Sequence, residues 1–174
     1  MRFKDFYEGQ KMKQLILMRG ISGSGKSTVA QKIKQELGGV VYSTDDYFTD
    51  ANGRYNFDFQ KLHENHIKNK IRTEQGMIEG ISPIIIDNMN SKPWEMKDYV
   101  LLAQKHGYQV QIRQPGDADF PEVDFDEIMR RQGMRQGNNK MLPPEMVKSM
   151  MDKFQKNVSL DDVIASTPPN FDKK

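Results

Sequence analysis

The sequence contains no cysteine, which removes disulfides, thiolate metal sites and cysteine nucleophiles and fits a reducing compartment. No apolar stretch approaches the roughly 18 residues of a membrane span, and the N-terminus lacks the apolar run of a signal peptide. The expectation is a soluble, cytoplasmic protein that uses no membrane. Charge of neither sign dominates: 26 Lys and Arg against 24 Asp and Glu leave a formal +2 at pH 7, so any basic surface has to come from local clustering. Repeats and low-complexity linkers are also missing. A chain of 174 residues is long enough for one well-cored α/β domain and short for two. The expected organisation is an N-terminal extension over residues 1–13, mixed in character and without a clear period, and a single domain over residues 14–174.

What is present is Gly20-Ile21-Ser22-Gly23-Ser24-Gly25-Lys26-Ser27, preceded by the apolar run Leu15-Ile16-Leu17-Met18 and followed by the helix-forming Thr28-Val29-Ala30. This is a complete Walker A pattern in a strand–loop–helix setting. Gly20, Gly23 and Gly25 permit a tight loop whose backbone N–H groups point inward at phosphate oxygens, above the positive end of a helix. Lys26 would reach the β- and γ-phosphates, and the Ser27 hydroxyl would ligate Mg²⁺. The expected nucleotide-binding set is Gly20, Ser22, Gly23, Ser24, Gly25, Lys26, Ser27 and Thr28. A Gly-rich turn without a ligand is the competing reading, and the flanking strand and helix weigh against it.

Around this loop the chain alternates strands and helices. Leu15 to Arg19 reads as the first strand, of the kind buried on both faces of a parallel sheet. Lys26 to Leu37 reads as a helix with Val29, Ile33 and Leu37 four apart on its inner face and Gly38-Gly39 at its end. Val40-Val41-Tyr42 is a second strand running into Ser43-Thr44-Asp45-Asp46. A loop with the turn signal Asn52-Gly53 covers Thr49 to Asp58. A long helix over about Phe59 to Glu79 is expected to turn Phe59, Leu62, His66, Ile67, Ile71 and Ile78 toward the core. Pro83 to Asp87 is a third strand, and a helix with Pro93 in its first turn carries Met96, Val100 and Ala103 inward and stops near Gly107. The alternating Tyr108 to Arg113 suits a fourth strand near the sheet edge. Helices over Asp124 to Arg135 and Pro144 to Phe154 flank a polar loop at Gln136 to Asn139, and the tail past Thr167 is expected to be extended. The pattern predicts an α/β P-loop fold of the nucleotide-kinase type, a parallel sheet of four to five strands with helices on both faces and a helical lid.

Ligands of such sheets sit at the carboxyl ends of the strands, where Asp45, Asp46 and Asp87 fall. Asp87 ends a run of isoleucines as a Walker B aspartate does, placed to hold Ser27 or a Mg²⁺-bound water; the alternative is an N-cap for the next helix. Phosphoryl transfer to an alcohol needs the hydroxyl aimed and its proton accepted late, so a carboxylate of ordinary pKa, about 3.9, suffices as the base. One of Asp45 and Asp46 would be that base and one would cap the short helix through Tyr47, and sequence alone leaves open which is which. His63 and His66, three apart with no third ligand nearby, suit capping or solvent-facing roles better than metal ligation. Arg131 and Arg135, four apart on one helix face, suit either a cationic lid over the transferring phosphates or a solvated basic stripe.

The combination of Gly20–Ser27, Ser43-Thr44-Asp45-Asp46-Tyr47-Phe48, Gly80-Ile81-Ser82-Pro83-Ile84-Ile85-Ile86-Asp87-Asn88 with Asn90, Trp94-Glu95-Met96-Lys97 and His106-Gly107-Tyr108 closely resembles the P-loop kinase module of NEDD-binding-protein-two-like proteins. More distantly it resembles the kinase domain of phage-type 5′-polynucleotide kinases. The likeness covers about residues 14–154. The resemblance implies transfer of phosphate from ATP, with Mg²⁺, to the 5′-hydroxyl of a nucleic-acid end. Position by position, Lys26 and Ser27 match the phosphate and metal residues, Asp45 the general base and Asp87 the strand-end aspartate. Arg131 and Arg135 match the two lid arginines, one of which contacts the donor phosphates.

The sequence also departs from the phage-type pattern. Phe48 stands where an arginine holds the acceptor's phosphate, Met89 replaces the usual threonine, and the loop from Arg135 to Pro143 is longer. The length leaves no room for the phosphatase domain of bifunctional end-healing enzymes, so kinase activity alone is expected. Two alternatives stay open: a kinase of a small metabolite or nucleotide sugar, like the zeta-toxin kinases, and a non-catalytic ATP-binding interaction module. Tyr47, Phe48, Tyr55 and Phe57 would suit base stacking around the acceptor cleft, though some of them must be core.

Overall fold

The structure, a computed structural model, describes residues 12–134 and 141–170. The expected extension therefore lies outside the described residues except for Met12 and Lys13, as does the polar loop at 136–139. β1 (Gln14–Met18) is central in a four-stranded, all-parallel sheet of order β2-β3-β1-β4. β2 (Val40–Tyr42) and β4 (Gln109–Arg113) form its edges, and β3 (Ile84–Asp87) lies beside β1 with Asp87 opposite Met18. Strand alternation sends Leu15, Leu17, Ile84 and Ile86 to one face and Ile16, Met18 and Ile85 to the other. Both faces are apolar because helices cover both.

α1 (Lys26–Leu37) closes the second face with Val29, Ala30 and Ile33. α2 (Leu62–Ile78) and α3 (Trp94–His106) close the first with Met77, Met96, Tyr99, Val100 and Ala103. α4 (Phe125–Gly133) and α5 (Pro144–Lys153) form a smaller layer in which Ile128 and Val147 pack on Ile21 of the P-loop. α6 (Leu160–Ala165) returns Val163 to the first face. It was not anticipated, although Ser159 and Asp162 form the capping box that Ser-x-x-Asp can signal. Among the described residues no helix is long and apolar enough to cross a membrane.

Two expected core assignments are corrected. Leu37, in the last turn of α1, is exposed. In α2 the buried positions are Asn65, Asn69, Thr73, Gly76 and Met77, while Ile67, Ile71 and Ile78 face outward, as does Phe59 in the 3-10 turn Phe59–Lys61 before it. The inward face is polar because it meets polar partners. The Asn69 amide donates to the Tyr99 hydroxyl at 2.9 Å, Thr73 Oγ1 donates to the Asn69 carbonyl at 2.8 Å, and His66 Nδ1 lies 3.2 Å from Thr44 Oγ1. A hydrogen-bonded polar network can occupy a helix's buried face in place of isoleucines, although Asn65 Nδ2 on this face has no hydrogen-bond partner among the described residues.

The sheet ends in a second polar knot. Arg19, directly after β1, is fully buried. Its guanidinium donates to the Asn90 and Ser91 carbonyls at 2.9 and 3.1 Å, to Gln114 Oε1 at 2.6 Å and to the Gln155 carbonyl at 2.7 Å, and it stacks 4.8 Å from the centre of the Phe154 ring. Burial pushes its pKa down to about 10 while Glu95 pulls it up, so it stays charged at neutral pH. Arg19→Met fills part of the volume but strands these buried acceptors. We expect a loss of about 3 kcal/mol or more in urea unfolding; a loss under about 1 kcal/mol would rule out this bracing role.

His66 supplies a pH test. Burial, then Lys70 and His63, lowers its pKa from the usual 6.5, against the pull of Asp45. A base whose folded pKa is depressed binds fewer protons folded than unfolded. Its neutral form is compatible with full stability above about pH 6.5, and stability falls as pH drops through and below that value. His66→Gln should flatten the stability profile between about pH 7 and 5. If urea midpoints of both proteins fall in parallel over that window, His66 is not the group responsible.

Candidate active site

The P-loop leaves β1 and is tied to the end of β3, since Gly20 N–H donates to the Met89 carbonyl at 3.0 Å. Gly23 and Gly25 have φ of 89° and 96°, left-handed values that a side chain would strain. A Cβ on Gly23 would also come within 2.9 Å of Ile128 Cγ2, so α4 packs directly on the loop. Gly25 is the N-cap of α1, whose first turn holds no acidic residue, so its positive end is left for an anion. Ser22 is half-buried and Ser27 and Thr28 are exposed. Ser24 is buried, and its hydroxyl has no hydrogen-bond partner among the described residues. Lys26 Nζ pairs with Asp87 Oδ1, the two side chains being 13% and 9% exposed.

The segment after β2 is stitched to the same strand end. Ser43 Oγ donates to the Asp87 carbonyl and Thr44 N–H to Asn88 Oδ1, each at 2.9 Å. The 3-10 turn Thr44–Phe48 that follows is capped by Ser43, and Asp46 completes the capping box by accepting the Ser43 N–H. Asp46 also accepts from Arg72 at 2.9 Å. Arg72 reaches in from α2, bonds the Ser43 carbonyl and lies 4.4 and 4.9 Å from the ring centres of Tyr42 and Tyr47. Asp45 does other work: its Oδ1 accepts the Tyr55 hydroxyl at 3.2 Å. Burial first, then the charge of Asp45 and the hydrogen bond to it, push the Tyr55 hydroxyl well above its ordinary pKa, so it is a donor at neutral pH. The two neighbouring aspartates are thus separated by task, capping for Asp46 and facing Tyr55 for Asp45.

From the other side α4 brings Arg131 to the loop. Its Nη1 is 3.3 Å from the Gly23 carbonyl and would be 3.2 Å from a Cβ on Gly25. Its Nε donates to Glu127 at 2.6 Å, and Arg130 grips the same carboxylate. These hydrogen bonds, from Arg130 and Arg131, hold the Glu127 pKa down at about 2. A cavity of about 70 Å³ bordered by Ile21, Ser24, Ile128 and Met151 lies between loop and helices. Arg135 lies outside the described residues.

The chemistry of these residues fits ATP and Mg²⁺. The loop glycines leave no side chain inside the turn, the first turn of α1 offers backbone donors, and Ser24 contributes a buried hydroxyl still lacking a partner. Ser27 and Asp87 are hard oxygen donors of the kind Mg²⁺ takes and would hold it together with phosphate and water. No group of three or more His, Asp or Glu side chains is gathered as a metal cage among the described residues, and such an ion needs none. His66 Nδ1 lies against Thr44 Oγ1. Sequence reasoning gave no role to Arg19, Arg72 or Glu127, and it named Asn88 and Asn90 only as part of the resemblance, without their bracing contacts. Only Glu127 carried a usable signal, its place three and four residues before Arg130 and Arg131.

A family model described as an AAA domain matches residues 15–157. In sequence the chain is similar to NEDD4-binding protein 2 of Homo sapiens, 40% identical over 156 residues, a stretch that is 89% of this chain but only 8% of that protein. In structure it is similar to a chain of the Pnkp1/Rnl/Hen1 RNA repair complex, with a TM-score of 0.66 at 17% identity over 84% of this chain and 46% of that one. It is also similar to a gluconokinase from Sinorhizobium meliloti 1021, with a TM-score of 0.52 at 14% identity over 84% of this chain and 77% of that one. A sugar kinase from Janibacter sp. HTCC2649 gives a TM-score of 0.57 at 17% identity over 86% of this chain and 82% of that one. At such identities the structural likenesses establish the fold, that of P-loop kinases. The chain belongs to the AAA domain family described by that model, as a member with a P-loop kinase-like fold.

Proposed function

We propose that the chain is an ATP- and Mg²⁺-dependent phosphotransferase whose acceptor is the 5′-hydroxyl of an RNA or DNA end. The observation that carries the reading is the division between the two aspartates: Asp46 is spent on the capping box, while Asp45 is held beside the strand end whose Asp87 grips the P-loop lysine. The acceptor assignment is supported by the resemblance carried by Ser43–Phe48 and Gly80–Asn90.

In this reading the P-loop N–H groups and Lys26 orient the donor triphosphate, Lys26 exchanging Asp87 for phosphate oxygen. The acceptor oxygen attacks the γ-phosphorus in line, the bond to the ADP oxygen breaks, and the acceptor proton passes to Asp45 late in the step. Arg131, which meets the Gly23 carbonyl and is held by Glu127, would neutralise charge on the transferring group. Mg²⁺ held by Ser27 and Asp87 would neutralise charge on the β- and γ-phosphate oxygens.

The test is transfer from labelled ATP to 5′-hydroxyl RNA, 5′-hydroxyl DNA, gluconate and nucleotide sugars side by side. Label on the oligonucleotides alone is expected; label only on sugars would replace the acceptor, and binding of ATP with no transfer would leave an interaction module. Asp45→Asn should lower kcat at least about 100-fold with the Kd for ATP within about twofold. Wild-type turnover in that variant would remove Asp45 from the base role.

Arg131→Gln should lower kcat by about 100-fold or more, because a transition-state charge loses its partner. If the Kd for ATP rises while kcat holds, Arg131 serves ground-state binding only.

A further inference from the structure

The chain after the Asp45 turn folds back as a hairpin. Thr49 pairs with Tyr55 in an antiparallel bridge, Asp50 N–H donates to the Arg54 carbonyl at 2.9 Å and Asn56 N–H to the Phe48 carbonyl at 2.7 Å, around the Asn52-Gly53 turn. The returning arm carries a run of rings away from Asp45. Tyr55 touches the carboxylate, and Phe48, only 4% exposed, backs the run. Phe48 meets Tyr55 edge-on at 6.2 Å between ring centres and Phe57 at 5.0 Å. Phe57 is 54% exposed, and Phe59, two residues on, is 78% exposed, the highest value among the large apolar side chains described.

Scattered exposed apolar side chains need no explanation. Tyr55 and Phe57 differ in being linked to the candidate base, Tyr55 directly and Phe57 through Phe48, with Phe59 following two residues on. Arg54, Lys61 and His63 are exposed on the same stretch. The acids interleaved with them are engaged locally but stay at the surface: exposed Asp50 accepts the Asn52 and Arg54 N–H groups through Oδ1, and half-buried Asp58 accepts the Gln60 N–H, each at 2.9 Å, so both carboxylates are already committed to the turns they cap. Flat rings flanked by cations suit a strand of nucleic acid, whose bases stack on aromatic faces and whose phosphates attract Lys and Arg. A small sugar needs several directed donors and acceptors. Tyr55, Phe57 and Phe59 offer one hydroxyl between them, and it is directed at Asp45.

We propose that Tyr55, Phe57 and Phe59 form the platform on which the single-stranded 5′ end of the acceptor lies, Tyr55 nearest the reacting hydroxyl and Phe57 and Phe59 under the bases, with Arg54 and Lys61 on the phosphates. The inference deepens the kinase reading and rests on it for the role of Asp45, but its central measurement, strand binding, is independent of turnover.

The experiment measures binding of a fluorescent single-stranded 5′-hydroxyl oligonucleotide to the full chain, with thermal melts to verify folding. Phe57→Ala/Phe59→Ala should weaken it by about 10- to 100-fold. Phe57→Leu/Phe59→Leu, apolar but not flat, should weaken it nearly as much, and Phe57→Trp/Phe59→Trp should restore it. The Kd for ATP should stay constant throughout, and Lys61→Gln should reduce the salt dependence of strand binding by about one phosphate contact. Wild-type protein that binds no strand overturns the platform, as does a folded alanine or leucine variant that binds at wild-type strength, a result that would leave the surface to a protein partner. Strand binding that depends on the rings but is never followed by phosphate transfer would support the platform and overturn the kinase reading.

Discussion

The ion pair between Lys26 and Asp87 joins the two halves of the molecule that matter most, the P-loop and the end of β3. It is nearly excluded from water, and a buried charge that loses its partner is costly, so the lysine and the carboxylate define each other's position. The four residues from Asp87 to Asn90 extend this junction into a seam. Asp87 and Asn88 hold the Asp45 turn, the Met89 carbonyl holds the start of the P-loop, and Asn90 bonds both Arg19 and the Met18 carbonyl. A crevice built on a single strand end can place loops of distant sequence within bonding distance of one another. That is how Gly20, Thr44 and Asn88 come together across more than sixty positions of chain.

The same seam explains why so much polar surface is buried. Loops that meet at the end of a parallel sheet bring unpaired carbonyls, and each needs a donor. Arg19 satisfies several at once from a position where an apolar residue would continue β1, and Arg72 does the equivalent for the Asp45 turn from α2. Both arginines are stacked on rings, Arg19 on Phe154 and Arg72 between Tyr42 and Tyr47, which covers the faces of the guanidinium while its edge makes the hydrogen bonds.

What the sequence made legible follows the same physics. The P-loop is a backbone motif, so its glycines and lysine fix its geometry whatever surrounds it, and the apolar runs of β1 and β3 allow no other placement than the sheet centre. The inner face of α2 was illegible because period-based reasoning equates inward with apolar. Ile67 and Ile71 obey the helical period as well as Asn65 and Asn69 do, and only the tertiary partner Tyr99 decides between the two stripes. For Asp45 and Asp46 a local signal existed, since Ser43-x-x-Asp46 is a capping-box pattern, but the partners that complete the separation, Tyr55 for Asp45 and Arg72 for Asp46, come from different elements and are not readable in one dimension. Arg135 stays an expectation from spacing and resemblance.

The proposed donor and acceptor halves differ in how they are anchored. The P-loop, Lys26 and the Asp45 turn are fastened to the sheet by backbone and buried side-chain bonds, and a donor site built this way can serve any kinase of the fold. The hairpin from Thr49 to Asn56 is bonded chiefly within itself and to the turn before it. Its side chains can change without disturbing the sheet, whereas those of the seam cannot. A fold shared with a gluconokinase, a sugar kinase and a chain of an RNA repair complex therefore says little about the acceptor. On the proposed reading the acceptor's chemistry is written in the elements outside the sheet, and in this chain the stretch next to Asp45 carries the rings of Tyr55, Phe57 and Phe59.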